Sequence, residues 1–565
     1  MKTGKLFLVV SLILVFVLAF SACAPPVVEE PVAEEPKAEE PAAEEPAAEE
    51  PAAEEVVEKH LGISQPSQYA TTFDISLMNT AFEATQMLYD SLLSVDTNGE
   101  YVAGGLTESY EMSDDGTVTT FYLKKGITFH DGSDFNAEVV KWNIELVQNG
   151  AGCCAYLFTP VTDIEIIDDY TIALTTDGPF PGLIFNLSSA WGLMMSKEKY
   201  EECGEDYGLS PECVSGTGPF MLEEMVTNDY MTFVKNPDYD WAAAWTGHSG
   251  PANVDKITFK FIAEDATRLI DLQAGDTHLM MGAPWRDVAD FQEDSDYQVV
   301  QIPEATLWYV LMPVLQPMVA DLNTRHAIGY AIDRDLIKET LYQGLGAAKT
   351  TYLASEITAD KGVVGLDYDP AKAAEMFAAA GWVMGDDGVL VAESVAGVEA
   401  GTRFSVNFHT AQYDEAQTLT EVIQKQLADV GVETNIIVME DATYIDAVTT
   451  GEVVLGLKVY TWDNADILPW FIHSQYIPNP NYTQVNDEKL DTCMDDADYN
   501  SASWAIRDEK YRACQQYLID DIYPWAPIYQ RPALWFARAS VKDITSIPLR
   551  AGMSTELWVL IDLAE

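Results

Sequence analysis

The sequence predicts a mixed α/β fold, and three observations support this prediction. Its 565 residues are 48% hydrophobic and 11% aromatic, which is ordinary for a globular protein and sufficient for large cores. Strand-like runs alternate with turn sequences in the first third of the chain. Further on, apolar residues recur at helical spacing and lead into strand-like runs, which is the pattern of helix-to-strand units.

The early elements are defined by their turns. Asn98-Gly99 is a turn signal, and a second one at 114–116 precedes a strand-like run over 117–124. Asn136 then has the position of an N-cap, because an amide side chain there can accept from the first backbone N–H groups of a helix. We therefore expect a helix to begin directly after it.

The later helices are easier to delimit. Asp369-Pro370 suits an N-cap followed by the first helical position, and a glycine ends the segment, which predicts a helix over 370–380. Apolar residues at helical spacing predict another helix over 419–430. A glycine again follows, and the next run, over 432–438, reads as a strand.

Charge excludes some functions. Lys+Arg 31 against Asp+Glu 91 gives a formal net charge of −60. A surface this acidic repels polyphosphate, so nucleic acid is not an expected partner. The acidity favours either solubility in salt or attraction of cationic ligands, and the sequence leaves both open.

The first residues have the parts of a secretory signal over 1–22. Lys2 and Lys5 precede an apolar run over 6–20, which is shorter than the roughly 20 residues that a spanning helix needs. The run ends in small residues before Cys23 and resembles the bacterial lipobox, in which the cysteine is lipidated. A plain signal peptide or an uncleaved anchor is the alternative.

A repeat of Glu-Glu-Pro-Ala-Ala follows the predicted lipidation site. Proline blocks continuous helix and the like charges repel, so the segment 23–58 is predicted to be a disordered, extended tether. The protein would then be held at the outer face of a membrane through its lipid anchor alone.

Six further cysteines are Cys153, Cys154, Cys203, Cys213, Cys493 and Cys514. An even count in an exported chain favours disulfides. Cys203 and Cys213 would close a short loop, and Cys493 and Cys514 lie in neighbouring helical segments that can pack antiparallel. The adjacent pair at 153–154 stays open, because a vicinal bridge is strained.

No catalytic signature is present in the sequence. The zinc-protease H-E-x-x-H, the nucleophile elbow G-x-S-x-G and the phosphate loop are all missing. The seven histidines are scattered, and none is three or four residues from another. We therefore predict a protein that is not an enzyme and has no catalytic residues, cofactor or metal site.

Several segments, read together, resemble the family 5 solute-binding proteins of ABC importers, the oligopeptide and dipeptide class. The blocks that carry this resemblance are 89–93, 106–110, 113–116, 121–132, 215–220 with 235–237, 325–334 and 368–382. The resemblance extends over nearly everything from about residue 60 to 540.

The resemblance implies a two-lobed periplasmic-binding-protein fold of type II, cluster C, with an extra inserted domain. Ligand would lie between the lobes and close them like a clamp, burying the polar contacts from water. The implied parts are lobe I over 59–99, 196–300 and 541–565, the extra domain over 100–195, and lobe II over 301–540, with crossings near 300 and 540.

The same resemblance implies a function. The protein would capture peptides outside the cytoplasm, at the outer face of the cell membrane or in the periplasm, and deliver them to ABC permease subunits. It would act as a monomer. An oligosaccharide receptor of the same family is the alternative, and a lipid-anchored hydrolase is a third hypothesis.

The segment 460–466 is similar to the stretch that carries an aspartate for the ligand α-ammonium in peptide-binding members. The match assigns this role to Asp463, because a carboxylate in a closed cleft makes a charge-assisted hydrogen bond. Ile467 stands where those members have proline, so Asp466 could take the role instead. The alternative for Asp463 is that of a solvated loop acid.

Aromatic residues are the other candidate ligand contacts. The resemblance places five of them near the cleft, where they could stack on sugar faces or on peptide side chains: Trp285, Trp308, Tyr309, Trp462 and Trp470. Core packing is the alternative for each, because large aromatic side chains dominate protein cores.

Overall fold

The computed structural model describes residues 58–68, 72–78, 83–96, 100–152, 154–544 and 555–564. The predicted signal, Cys23 and nearly all of the predicted tether lie outside these ranges, as does Cys153. Within them, no helix is both long and apolar enough to cross a membrane.

The strands of the described chain form one large sheet and several small ones. They are β1 (His60–Gln65), β2 (Leu93–Val95), β3 (Tyr101–Ala103), β4 (Thr107–Met112), β5 (Val118–Leu123), β6 (Val161–Asp168), β7 (Thr171–Thr176), β8 (Phe220–Val226), β9 (Tyr230–Lys235), β10 (Lys256–Phe261), β11 (Leu279–Met281), β12 (Tyr297–Leu311), β13 (Ala347–Ala348), β14 (Trp382–Met384), β15 (Leu390–Ala392), β16 (Ser405–Ala411), β17 (Glu433–Met439), β18 (Leu455–Thr461), β19 (Trp525–Arg538), β20 (Val541–Lys542) and β21 (Asp562–Leu563).

The α-helices pack around these sheets. They are α1 (Thr85–Leu88), α2 (Ala137–Gln148), α3 (Gly182–Asn186), α4 (Lys197–Cys203), α5 (Asp265–Ala274), α6 (Val288–Glu293), α7 (Leu322–Tyr330), α8 (Arg334–Leu341), α9 (Pro370–Ala379), α10 (Asp414–Asp429), α11 (Asp441–Thr449), α12 (Ile467–Ile472), α13 (Glu488–Tyr499), α14 (Trp504–Tyr517) and α15 (Thr555–Leu560).

Two long central strands join the halves of the large sheet. Its order is β17-β16-β18-β12-β19-β11-β1-β10-β9-β8, with β13 also on β19. Strands β12 and β19 pair antiparallel along nearly their whole length, and their register shifts between Ile302 and Thr306. This irregularity marks the position at which the chain passes from one half of the molecule to the other.

The hydrophobic core is correspondingly divided. One large cluster draws on residues 61–302 and 535–563, and another on residues 305–529. A smaller cluster lies on the side of the first and includes Leu534. The buried residues of β19 thus change from the second cluster to the first between Tyr529 and Trp535. No turn marks this change, since β19 runs unbroken through both halves.

The segment predicted as an extra domain has a sheet of its own. Its order is β4-β5-β7-β6, and its buried residues belong to the same cluster as the first half of the molecule. Asn136 caps α2 as predicted, because its side chain accepts from the N–H of Val139 at 3.2 Å. The predicted strand over 117–124 is observed as β5.

The later elements agree with the predictions closely. Asp369 caps α9 by accepting from the N–H of Lys372 at 2.8 Å, and Gly381 follows with φ +95°. Helix α10 ends before Gly431, which has φ +89°, and β17 follows. Positive φ values suit glycine, so these two residues end their helices where the sequence indicated.

Both candidate disulfides are present. Cys203 and Cys213 are joined with Cα atoms 5.7 Å apart, and Cys493 and Cys514 with Cα atoms 5.8 Å apart. The second bridge connects α13 to α14, the two neighbouring helical segments that the sequence predicted. Cys154 is also disulfide-bonded.

Candidate functional site

A cavity of about 90 Å³ lies where the extra-domain segment meets the second half of the molecule. One wall comes from residues 156–186, and the other from residues 466–507. Its lining residues are Tyr156, Leu157, Pro160, Phe180, Gly182, Asn186, Asp466, Pro469, Trp470, Gln475, Tyr476, Asp495, Asp498, Tyr499 and Arg507.

Three aromatic rings from both walls meet at this cavity. Tyr156 follows α2 on a short 3₁₀ segment, and its ring centroid lies 5.1 Å from that of Trp470. The Trp470 ring stacks in turn on Tyr476, with centroids 6.0 Å apart. We call Tyr156, Trp470 and Tyr476 the ring cluster. It supplies apolar ring surface to the cavity lining.

Among the carboxylates that line the cavity, Asp466 is the best candidate to bind a ligand. It precedes α12, and the indole N–H of Trp462 donates to its Oδ1 at 2.6 Å. Oδ2 makes no hydrogen bond or ion pair with any residue in the described ranges. Burial raises the pKa of Asp466 to about 6, with Asp498 adding to the rise and Arg507 opposing it.

The only arginine in the cavity wall is already neutralised. Arg507 forms an ion pair with Asp498 at 2.9 Å and donates from Nη1 to Asn464 at 2.8 Å. Tyr511 donates to the other oxygen of Asp498 at 2.7 Å. These side chains pair with one another, so the main effect of their hydrogen bonds and ion pair is to hold α13 and α14 in place beside the cavity.

Other aromatic contacts join the same two walls. Trp462 stacks on Trp191 with centroids 6.5 Å apart and an interplanar angle of 30°. Trp504, at the start of α14, lies 5.1 Å from the ring of Tyr101 and 6.4 Å from that of Phe185. The extra-domain segment and the second half are therefore in direct contact along the cleft.

A second charged group lies next to the crossing strands. Arg531 in β19 pairs with Glu415 at 2.9 Å and approaches Glu304 to 3.7 Å. Tyr342 donates to Glu415 at 3.0 Å. Glu83, from the first half, has a pKa raised by burial and further by Glu304. This group brings Glu304 and Glu415 to one arginine, and Glu83 from the first half lies within electrostatic reach of Glu304.

Among the sequence-predicted site residues, Asp466 and Trp470 line the cavity, and Trp462 donates to Asp466 without lining it. Asp463 is half-buried in the same segment but does not line the cavity. Trp285 lies elsewhere, with its ring 5.0 Å from that of Tyr342 in the second charged group.

Trp308 and Tyr309 are buried in β12 and do not line the cavity. They are 2% and 1% exposed and belong to the core of the second half. Trp308 lies 6.1 Å from the ring of Tyr413, and Tyr309 lies 4.7 Å from that of Trp525. Strand β12 is covered on both faces at this point, so both side chains have the core packing that the sequence offered as the alternative to ligand contact.

The sequence did not single out Tyr156, Tyr476, Arg507 or Arg531. Nothing in their local patterns separates them from surface tyrosines or paired arginines. Only an expectation that the extra domain forms one cleft wall could have pointed to Tyr156.

Comparisons with known proteins give a consistent result. Residues 102–481 match the model of the bacterial extracellular solute-binding proteins, family 5. The glutathione-binding protein GsiB of Salmonella typhimurium is 28% identical over 385 residues, which are 68% of this chain and 70% of GsiB.

Solved structures resemble the fold over most of its length. The periplasmic binding protein DppA of Helicobacter pylori, solved with the peptide STSA, has a TM-score of 0.69 at 21% identity and covers 90% of this chain and 98% of its own. NikA of Brucella suis, solved with Fe(III)-EDTA, has a TM-score of 0.75 at 21% identity and covers 88% and 99%. These similarities support the two-lobed architecture.

Proposed function

The chain belongs to the bacterial extracellular solute-binding proteins of family 5, and from that membership we propose that it captures peptides between its two lobes for an ABC importer. The fold is the two-lobed one of periplasmic binding proteins, which work with ABC permeases and are not enzymes. Binding would be coupled to closure about the β12 and β19 crossings, since a ligand that contacts both lobes favours their closed arrangement.

The observation that carries the peptide proposal is the cavity wall. Aromatic groups from both walls converge there with carboxylates from the second half, and Asp466 keeps one oxygen available. A peptide offers a cationic amine and apolar side chains, which such a wall can bind. GsiB, named for glutathione, and DppA, solved with a peptide, support the same class of ligand.

Within this proposal, Asp463 receives the α-ammonium of the peptide. The segment is similar to the ammonium-binding stretch of peptide receptors, and Asp463 is half-buried at the cleft end of β18. Asp466, which lines the cavity, is the alternative for this role. An acid there would discriminate against ligands without an amine, because its charge would be left unpaired.

An oligosaccharide is the second candidate ligand. The stacked rings of Trp470 and Tyr476 favour it, since sugar faces pack on aromatic rings. Such a receptor would tolerate the loss of Asp463, whereas a peptide receptor would not.

The experiment that tests the proposal is native mass spectrometry of the protein purified without denaturation, followed by release and identification of any carried ligand. A ladder of peptide masses would support the proposal and give the preferred length. Masses separated by one hexose would contradict the peptide proposal and support an oligosaccharide ligand. Turnover of chromogenic glycosides or peptides by the same preparation would contradict both receptor hypotheses.

A further inference from the structure

The charges around the cavity do not balance. Its charged lining residues are Asp466, Asp495, Asp498 and Arg507. Arg507 and Asp498 neutralise each other, which leaves two carboxylates for one small space. Asp495 is 53% exposed and lies 3.4 Å from His473, whereas Asp466 faces the cavity with an oxygen that has no partner among the described residues. The cavity is therefore suited to a guest that carries positive charge.

The ring cluster points to the same kind of guest. A cation within about 6 Å of an aromatic face is attracted by the ring quadrupole, most strongly by tryptophan. Trp470 is in contact with both Tyr156 and Tyr476, and these rings border one space with the Asp466 carboxylate. A carboxylate and an aromatic ring at one cavity indicate a cationic guest more specifically than either group does alone.

The size of the cavity limits the guest to a single side chain. A site for one water needs about 10–15 Å³, so a cavity of about 90 Å³ holds several waters or one elongated group but not a whole oligopeptide. Leu157 and Phe180 provide apolar wall against which a methylene stem can pack.

We propose that the cavity receives the charged end of a ligand side chain, an ammonium or guanidinium group on an apolar stem. Asp466 is its ionic partner, and Trp470 and Tyr476 are the rings against which it lies. This inference rests on the proposed peptide function and narrows it, because it makes peptides with a lysine or arginine residue the preferred ligands.

Other guests fit the cavity less well. A neutral side chain would shield Asp466 from water without pairing it, which is costly for a carboxylate. An anionic side chain would meet two like charges at short range. A sugar could stack on the rings, but it would supply no charge to balance Asp466.

The inference is tested with matched peptides and calorimetry. The probes are Lys-Ala-Ala, Ala-Lys-Ala and Ala-Ala-Lys, together with the same peptides carrying norleucine, which keeps the stem and lacks the ammonium. We expect the lysine peptide to bind about tenfold or more tightly than its norleucine partner in at least one register. Asp466→Asn should remove that difference, because it lowers the affinity for the lysine peptide much more than the affinity for the norleucine peptide.

Two controls separate this effect from a general loss of folding or charge. Asp386→Asn removes an equivalent charge at an exposed position in the turn between β14 and β15, and it should keep the full preference for lysine. Tyr476→Leu should weaken the lysine peptide several-fold, and Tyr476→Phe should restore it, because only the ring is required. Thermal unfolding of each variant verifies that it is folded.

Equal affinity for lysine and norleucine peptides in every register would overturn the inference and leave the peptide function standing. An equal loss of both affinities in Asp466→Asn would also overturn it. Where no peptide binds, cadaverine and pentanediol are titrated instead. Cadaverine binding that Asp466→Asn abolishes would support the cationic cavity while contradicting the peptide function, and no binding of either probe would overturn the cavity assignment.

Discussion

At the scale of single residues, the proposals depend on two aspartates in one short segment that have different surroundings. Asp463 is half-buried and lies outside the cavity lining, whereas Asp466 is bound to Trp462 on one oxygen and faces the cavity with the other. The two carboxylates can therefore serve different cationic groups of one ligand.

Replacing Asp463 with asparagine should weaken peptide binding by more than about tenfold, because the α-ammonium loses its charged partner. Calorimetry with a neutral tripeptide measures the change. An N-acetylated version of the same peptide should bind the wild type as weakly as the unmodified peptide binds the variant. Its affinity should fall little further in the variant. Unchanged affinity in Asp463→Asn would contradict the assignment of Asp463 as the partner of the α-ammonium.

Affinity for a lysine peptide should fall by about tenfold between pH 7 and pH 5, because protonation of Asp466 removes its charge. Burial raises the pKa of Asp466 to about 6, so the ionised form is lost as pH falls through that value. The charged or titratable groups that interact with it are Arg507, Asp498, Asp463, Tyr156, Tyr476 and Tyr511.

Binding isotherms at pH 5, 6 and 7 check this dependence. Asp466→Asn serves as the control, since its weaker affinity should be flat over the same range. A wild-type affinity that does not change with pH would show that Asp466 is not the group that binds the cation.

At the scale of elements, one wall of the cavity includes a pair of helices that a disulfide joins. Helices α13 and α14 carry Asp495, Asp498 and Arg507, and Cys493 and Cys514 join them. The neighbouring α12 carries Trp470 and is preceded by Asp466. The placement of these helices therefore controls the geometry of the proposed cation site.

Removing the second disulfide with Cys493→Ala and Cys514→Ala should lower the free energy of unfolding by about 3 kcal/mol, because the bridge closes a loop with a sequence separation of 21. Denaturant unfolding gives this value. The same variant should bind lysine peptides more weakly, since the cavity wall loosens.

The matched control is the other bridge. Cys203→Ala with Cys213→Ala opens a loop with a separation of 10 that contributes no residue to the cavity lining, so it should reduce stability without changing affinity. An equal effect of both variants on peptide binding would contradict a specific role for the α13–α14 bridge.

At the scale of the whole molecule, aromatic contacts join the two sides of the cleft. Trp504 reaches from the second half to Tyr101 and Phe185, and Trp462 reaches to Trp191. Each aromatic pair contributes roughly 0.5–1.5 kcal/mol beyond its buried area. Such contacts favour an arrangement in which the lobes are together.

Trp504→Ala should shift the protein toward an open arrangement and reduce ligand affinity about two- to tenfold, since closure loses two ring contacts. Small-angle X-ray scattering with and without peptide measures the change in radius of gyration. Trp504→Phe keeps a ring and should stay close to wild type. An affinity and a scattering profile identical to wild type in Trp504→Ala would show that these contacts do not influence closure.

The predicted membrane attachment is also a property of the whole chain. Cys23→Ser should abolish incorporation of labelled palmitate in a bacterial host and release the protein from the membrane fraction, because the lipidated thiol is removed. Continued labelling of the variant would contradict a lipid anchor at this position.

The family, the mixed α/β class and many element boundaries could be predicted from the sequence. Asn136 and Asp369 cap their helices, Gly381 and Gly431 end theirs, and both candidate disulfides form. These features depend on short-range physics, since a cap or a positive φ is set by a few neighbouring residues.

The composition of the site was decided by tertiary structure. The sequence left both ligand contact and core packing open for Trp308 and Tyr309, and β12 buries both side chains. Tyr156 joins Trp470 only because the extra domain meets the second half. The sequence by itself determined which helices and strands form and which family they build. Only the packing of distant segments decided which side chains face the cavity, because burial and charge balance depend on neighbours that lie far apart in the chain.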